Sequence, residues 1–409
     1  MPRPILIRGA RQLVTLHGPS VSRRGTALRE LGIIADGAVL IRDGLIYEVG
    51  PSRRVEALRE ARNAEEISAI GRVVLPGFVD CHTHPVAGPV RSTDSGRELP
   101  PETYWKAIQQ TSRRVLEIQG MRLLDDFVRH GTTTIEAKSG FGMTERGEIK
   151  ILRTQIALDR RTSMVASTFT ATRWRPSEMS TDDYIEWVCS NLLPTIKRRK
   201  LAEFADIHCE RDLFSVKQVR RYLSAAKQLG FILKMHAGQS ANMGAVPEAV
   251  RFGVASIDHA VFVSDEDVRL LAECDTIATL LPGPVFFTGT GRYPPARTLI
   301  DGGAAVALAT NYNPQTSPSH NMQMMIALAC RKMGMTAAEA ISAATINGAH
   351  ALRRANRIGS LEHGKSADLM LLAVSDYREI PYHFGVNLVD ITLRRGQVVF
   401  RRSEVRWPT

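Results

Sequence analysis

Val73-Val74-Leu75-Pro76-Gly77-Phe78-Val79-Asp80-Cys81-His82-Thr83-His84 is the stretch on which the reading of this chain turns. Its first part is apolar and β-branched enough for a buried parallel strand. Residues two apart on a strand point to the same side, so His82 and His84 converge where the strand reaches its C-terminal end. Open and closed α/β architectures gather their chemistry at that end. Two imidazoles there can begin a metal site, although the same pair also reads as polar residues at a barrel rim. The alternation turns Cys81 away from both histidines, which argues against a nucleophilic role for it.

Downstream, from about 73 to 354, short buried strands alternate with helical stretches. The strands are Val74-Leu75, Thr133 to Ala137, Met164 to Ser167, Phe204 to Ile207, Leu233 to Met235, Ser256 to Asp258, Ile277 to Leu280 and Ala305 to Leu308. Helical patterns such as Val216 to Leu229 and Asp265 to Cys274 fall between them. Repeated β-then-α units in this number predict a (β/α)8 TIM-like barrel.

The two ends of the chain have a different rhythm. Residues 1–72 run through short apolar segments (Ile5 to Ile7, Leu13 to Leu16, Ala38 to Ile41, Leu45 to Val49), with Asp43-Gly44 as a hairpin signal. Residues 355–409 repeat the pattern at Ala367 to Leu372, Leu388 to Leu393 and Gln397 to Arg401, with a turn at Arg395-Gly396. Neither end carries enough strands to bury a sheet alone. The expectation is one small β-sandwich built from both termini, with the barrel inserted between them.

The 409 residues suit this size of architecture, and 44% hydrophobic with 23% charged residues is ordinary for a globular protein. No apolar run approaches the roughly 20 residues of a membrane span, and the N-terminus lacks a signal-peptide core, so a cytoplasmic location is expected. Five dispersed cysteines without a Cys-x-x-Cys pair agree with a reducing compartment. The net charge of +11 raises nucleic acid as a partner. The basic residues are spread thinly, however, and Lys197-Arg198-Arg199-Lys200 reads as the solvated end of an amphipathic helix, without interleaved aromatics for base stacking. No nucleic-acid or membrane partner is expected.

Polar residues gather at the predicted strand ends: His82 and His84, then His236, then Asp258-His259, then Asn311-Tyr312-Asn313-Pro314. Several histidines at one rim outweigh the reading of each as a satisfied structural residue. The pattern resembles the amidohydrolase superfamily, and within it the imidazolonepropionase family of ring-opening hydrolases. The resemblance runs through Pro76 to His84, Gly131 to Thr134, Lys138-Ser139-Gly140-Phe141-Gly142, Cys209-Glu210, Lys234 to Ala237 and Asp258-His259. It continues through Leu280 to Gly283, Asn313-Pro314, Gly359 to Asp368 and Pro381 to Asn387, and so covers almost the whole chain.

The resemblance implies one divalent metal, zinc or iron, held by His82, His84, His236 and the residue at Asn311, where the family has an aspartate that also takes a proton from the metal-bound water. It further implies a small-molecule substrate, a homodimer, and matching roles for Arg91, His259 and Asn313. Gln239 replaces a glutamate, Arg173 a histidine, Phe141 a tyrosine and Gln315 a glycine, with Thr316 beside it. Asp to Asn, Glu to Gln and His to Arg all shift the pocket toward positive charge, so an anionic substrate is expected.

Two readings follow. In the first, the protein is a metal-dependent amidohydrolase cleaving a C–N bond of a small cyclic amide. Here His259 orients the carbonyl, Arg91 and Arg173 hold a carboxylate, and Glu210 or His259 replaces the lost base. In the second, it is a non-catalytic descendant that binds a small anion. Asn311 and Gln239 favour the second reading; the three retained histidines favour the first.

Overall fold

The computed structural model describes residues 3–87, 101–172 and 179–403. Eight parallel strands lie side by side in chain order: Phe78–Thr83, Thr132–Lys138, Val165–Ala171, Phe204–Cys209, Ile232–Ala237, Ser256–His259, Ile277–Leu280 and Val306–Leu308. The ring closes at its rim, where Thr83 bridges Tyr312 and the His84 N–H donates to the Tyr312 carbonyl at 2.7 Å. Asp80 reinforces the closure, accepting from the Thr310 N–H at 3.1 Å and the Thr310 hydroxyl at 2.6 Å. Amphipathic helices such as Val216–Gln228, begun by a capping box at Ser215 and Gln218, cover the outside.

The run Val73 to Cys81 is two strands rather than one. Val73–Pro76 pairs with Gln12–Val14 and Leu369–Leu372, outside the barrel, and the first barrel strand begins at Phe78. The change of sheet occurs at Gly77, whose N–H donates to the Asp368 carbonyl at 3.0 Å while the Phe78 N–H donates to Gly131 at 2.9 Å. A Cβ at Gly77 would lie 2.3 Å from Thr133 Cγ2 and Oγ1, so the two sheets approach more closely than any larger residue permits. Hydrophobicity alone cannot reveal such a break, because both pieces are equally buried.

Strands from both ends of the chain do combine. One sheet contains Ile5–Ala10, Gly37–Arg42, Leu45–Pro51 and Glu65–Ser68; the other joins Gln12–Val14, Ile33–Ile34 and Val73–Pro76 to Leu369–Leu372, Val389–Arg394 and Gln397–Arg401. Ile7, Val39, Ile41 and Ile67 from the first sheet pack on Leu13, Val74, Leu369, Leu371 and Leu393 from the second, forming the sandwich core. No helix among the described residues is long and apolar enough to cross a membrane.

Candidate metal centre

Strand alternation sends Asp80, His82 and His84 into the barrel and leaves Cys81 in the wall, fully buried among apolar side chains with Val79, Ala166 and Ile277. Burial pushes the Cys81 thiol up to about 12, against reactivity. The fourth and fifth strands pair in register, Asp206 with Lys234 and His208 with His236, so the two strands place a charged pair and a histidine pair at matching heights. Donor atoms of His82, His84 and His236 lie within 4.8 Å of one another. The ring centroids of His82 and His236 are 4.6 Å apart, and those of His82 and His84 are 5.5 Å apart.

His82 and His84 are oriented by hydrogen bonds at Nδ1, and a carboxylate lies against Nδ1 of His236. His82 Nδ1 hydrogen-bonds Asp258 Oδ2 at 2.8 Å, whereas His236 Nδ1 lies 2.9 Å from Asp206 Oδ2 in a charge contact outside hydrogen-bonding geometry. The His84 Nδ1 is 3.3 Å from the Ser139 carbonyl. A carboxylate on Nδ1 fixes the ring and raises the donor strength of Nε2, the arrangement common behind histidine metal ligands. The His82 Nε2 is buried without a hydrogen-bond partner, which leaves its lone pair for an ion. The residues therefore fit a divalent metal. Burial drives the His82 pKa well below its ordinary value, against the pull of Asp258, and drives His84 down to about 3. Neutral imidazole is the ligating form.

Beneath the histidines lies a buried layer of charge. Lys138 Nζ lies 3.2 Å from Glu136, 3.1 Å from Asp206 and 3.0 Å from Asp258, all of them fully buried. Lys234 Nζ pairs with Glu136 and donates to the Cys81 carbonyl at 3.0 Å. Burial alone would raise Asp206 and Asp258. His236 and Lys138 outweigh it at Asp206, and Lys138, Lys234 and His82 do so at Asp258, holding both carboxyls well below the usual range.

The remaining rim residues come from strand ends with unusual backbone. His259 (φ 84°), Ala260 (φ 48°) and Asn311 (φ 51°) all occupy the left-handed region, which side chains larger than glycine rarely adopt. His259 is buried, with its ring centroid 5.8 Å from His82 and 5.4 Å from His236, and burial holds its pKa at about 3. Asn311 follows the eighth strand directly beside Tyr312, the residue that receives the His84 N–H. Asn313 builds the next turn: its Oδ1 accepts from the Gln315 N–H at 2.9 Å and the Thr316 N–H at 2.7 Å, while its Nδ2 donates to the Asn311 carbonyl at 2.8 Å.

Phe141 meets His84 edge to face at 5.2 Å between centroids. Its loop is held by Glu148, which accepts from the N–H groups of Gly140, Gly142 and Met143. Glu210 is similarly engaged, accepting from the Gln239 N–H at 2.7 Å, the Ser240 N–H at 3.1 Å and the Ser240 hydroxyl at 2.6 Å. The Gln239 side chain itself is exposed. Arg91 and Arg173 fall outside the described residues. Sequence reasoning gave no role to Lys138, Asp206 or His208; the His208 ring stacks on His236 at 3.9 Å, with a buried Nε2 that has no partner. Inward alternation along Phe204-Ala205-Asp206-Ile207-His208 was the available signal.

A family model described as "Amidohydrolase family" matches residues 73–399. The chain is 40% identical to an imidazolonepropionase of Geobacillus kaustophilus, over 98% of this chain and 99% of that protein. It is 41% identical to an imidazolonepropionase of Solibacter usitatus, over 96% and 98%. Among solved structures, a triazine hydrolase variant superposes with a TM-score of 0.76 at 17% identity, covering 97% of this chain and 94% of that one. A zinc-bound adenosine deaminase from Xanthomonas campestris superposes at 0.71 with 18% identity, covering 96% and 92%. These two likenesses concern the fold.

Proposed function

The chain belongs to the amidohydrolase family, and from that premise we propose that it opens a small anionic cyclic amide by hydrolysing a ring C–N bond, as its imidazolonepropionase relatives suggest. The observation that carries this reading is the imidazole triad of His82, His84 and His236, with Nδ1 of His82 and His84 hydrogen-bonded, Nδ1 of His236 against Asp206, and the His82 Nε2 left buried and unpartnered. The ion is assigned as zinc, which imidazole donors suit and which needs no carboxylate ligand. When bound, it supplies an acidified water and a Lewis acid for the amide carbonyl.

The chain's own groups do the rest. His259, neutral because burial holds its pKa near 3, orients the carbonyl oxygen by hydrogen bonding. Arg91 and Arg173 are assigned to the substrate carboxylate, which guanidinium groups bind bidentately. Phe141 forms an apolar wall beside His84, and Asn313 shapes the turn that carries Gln315 and Thr316. Asn311 is assigned as a weak neutral fourth ligand, since an amide oxygen can coordinate but cannot take a proton near neutral pH. Of the two candidate proton acceptors, Glu210 already accepts three hydrogen bonds, and His259, beside the triad, is a weak base because burial holds its pKa near 3.

Metal analysis of the purified protein combined with a hydrolysis screen tests the proposal. About one zinc per chain is expected. Hydrolysis of imidazolone propionate or a related cyclic amide should depend on the carboxylate and weaken on Arg91→Ala or Arg173→Ala. Well under one metal per chain after supplementation, or equal handling of neutral and anionic amides, overturns it.

A further inference from the structure

The buried ammonium of Lys138 has no part in the chemistry just described, yet it touches the supports of two metal-directed rings at once. It reaches from the second barrel strand to the fourth and the sixth, which share an interior layer because alternate strands contribute to the same level. At Asp258 it contacts Oδ2 at 3.0 Å, the same oxygen that lies 2.8 Å from His82 Nδ1. At Asp206 it contacts Oδ2 at 3.1 Å, the same oxygen that lies 2.9 Å from His236 Nδ1.

We propose that Lys138 is a positioning residue that couples His82 and His236 into one unit, by holding the carboxylate oxygen that lies against Nδ1 of each ring. The inference rests on the metal-site reading above. Each Oδ2 is shared between an ammonium and an imidazole, so its position is a compromise between the two. Thr170 donates to Asp206 Oδ2 at 3.1 Å and Ser256 to Asp258 Oδ1 at 2.6 Å, but these hydroxyls are local to each acid and cannot join them. Lys138 is the group through which a shift of one carboxylate is felt by the other. Without it, two like charges would also face each other in a buried interior, with Lys234 committed to Glu136.

The coupling has a measurable form. Asp206→Asn and Asp258→Asn are made singly and together, in the wild-type and Lys138→Met backgrounds, and loaded with cobalt(II). Affinity is read by chelator competition and geometry by the visible d–d bands. In the wild-type background each single change should weaken cobalt about 10–100-fold, and the pair should weaken it by less than the product of the two. In the Lys138→Met background the two effects should multiply, because independent sites add in free energy. Lys138→Met alone should shift the d–d bands, while Lys138→Arg should restore them in part.

Multiplicative effects in the wild-type background, or a Lys138→Met protein with unchanged cobalt affinity and bands, would overturn the coupling. If Lys138→Met does not fold, Lys138→Gln takes its place in the same cycle. Failure of the metal-site reading itself looks different: wild-type protein would bind cobalt no better than His84→Ala, and the coupling would fall with it.

Discussion

Replacing Asn311 by aspartate should destabilise the metal-free protein, and zinc should return much of that loss. The side chains are nearly isosteric, and the backbone there is already held: the Asn311 carbonyl accepts from Asn313, and the neighbouring Tyr312 carbonyl accepts from His84. The substitution therefore adds a negative charge at a residue only 5% exposed. The buried ammonium groups below are committed, Lys138 to Glu136, Asp206 and Asp258, and Lys234 to Glu136. With no cation to spare, the metal-free Asn311→Asp protein should lose about 3 kcal/mol at neutral pH, or its new carboxyl should stay protonated with a raised pKa. With zinc, an added anionic ligand should tighten binding about 10–100-fold, worth about 1.4–2.7 kcal/mol when the ion is in excess. Urea denaturation of chelator-treated and zinc-saturated protein, beside chelator competition for zinc, measures both effects. A loss as large with zinc as without it, or unchanged zinc affinity, would refute the placement of Asn311 at the metal.

Glu210→Gln separates a structural carboxylate from a proton acceptor. If Glu210 serves to hold Gln239 and Ser240, stability should fall by about 1–3 kcal/mol and KM should rise more than kcat falls; unchanged stability with a large loss of kcat would make it the base. Gly77→Ala should destabilise by about 1–3 kcal/mol through overlap with Thr133, and an unchanged urea midpoint would refute the close approach. Metal-free protein should weaken as pH falls. His84 and His259 are held at about 3 in the folded state by burial, whereas unfolded imidazoles titrate near about 6.5. The unfolded chain thus takes up protons first, and each group removes about 1.4 kcal/mol per pH unit below about 6.5. Asp80, raised to about 7 by burial, opposes this with the reverse sign, leaving a net loss. Melting temperatures that stay level between pH 6.5 and 4.5 would contradict it.

Much of this architecture is readable from local pattern. Side chains alternate along a strand with period two, so His82 and His84 share one side and Cys81 takes the other whatever surrounds them. The repeated β-then-α rhythm announces a barrel, and the shortage of strands at each end requires the termini to combine. Other features depend on which segments meet. Pro76-Gly77-Phe78 reads as the middle of one strand until Thr133 and Asp368 stand on either side of Gly77. Glu210 reads as a free carboxylate until the backbone of Gln239 and Ser240 turns toward it. Lys138 touches Asp206 and Asp258, 68 and 120 positions away in the chain, because strand order and register bring three inward side chains to one level. Periodicity decides the side on which a residue lies, because that follows from its own backbone. Its partners across the barrel are decided by the pairing of distant strands, and only the tertiary structure contains that pairing.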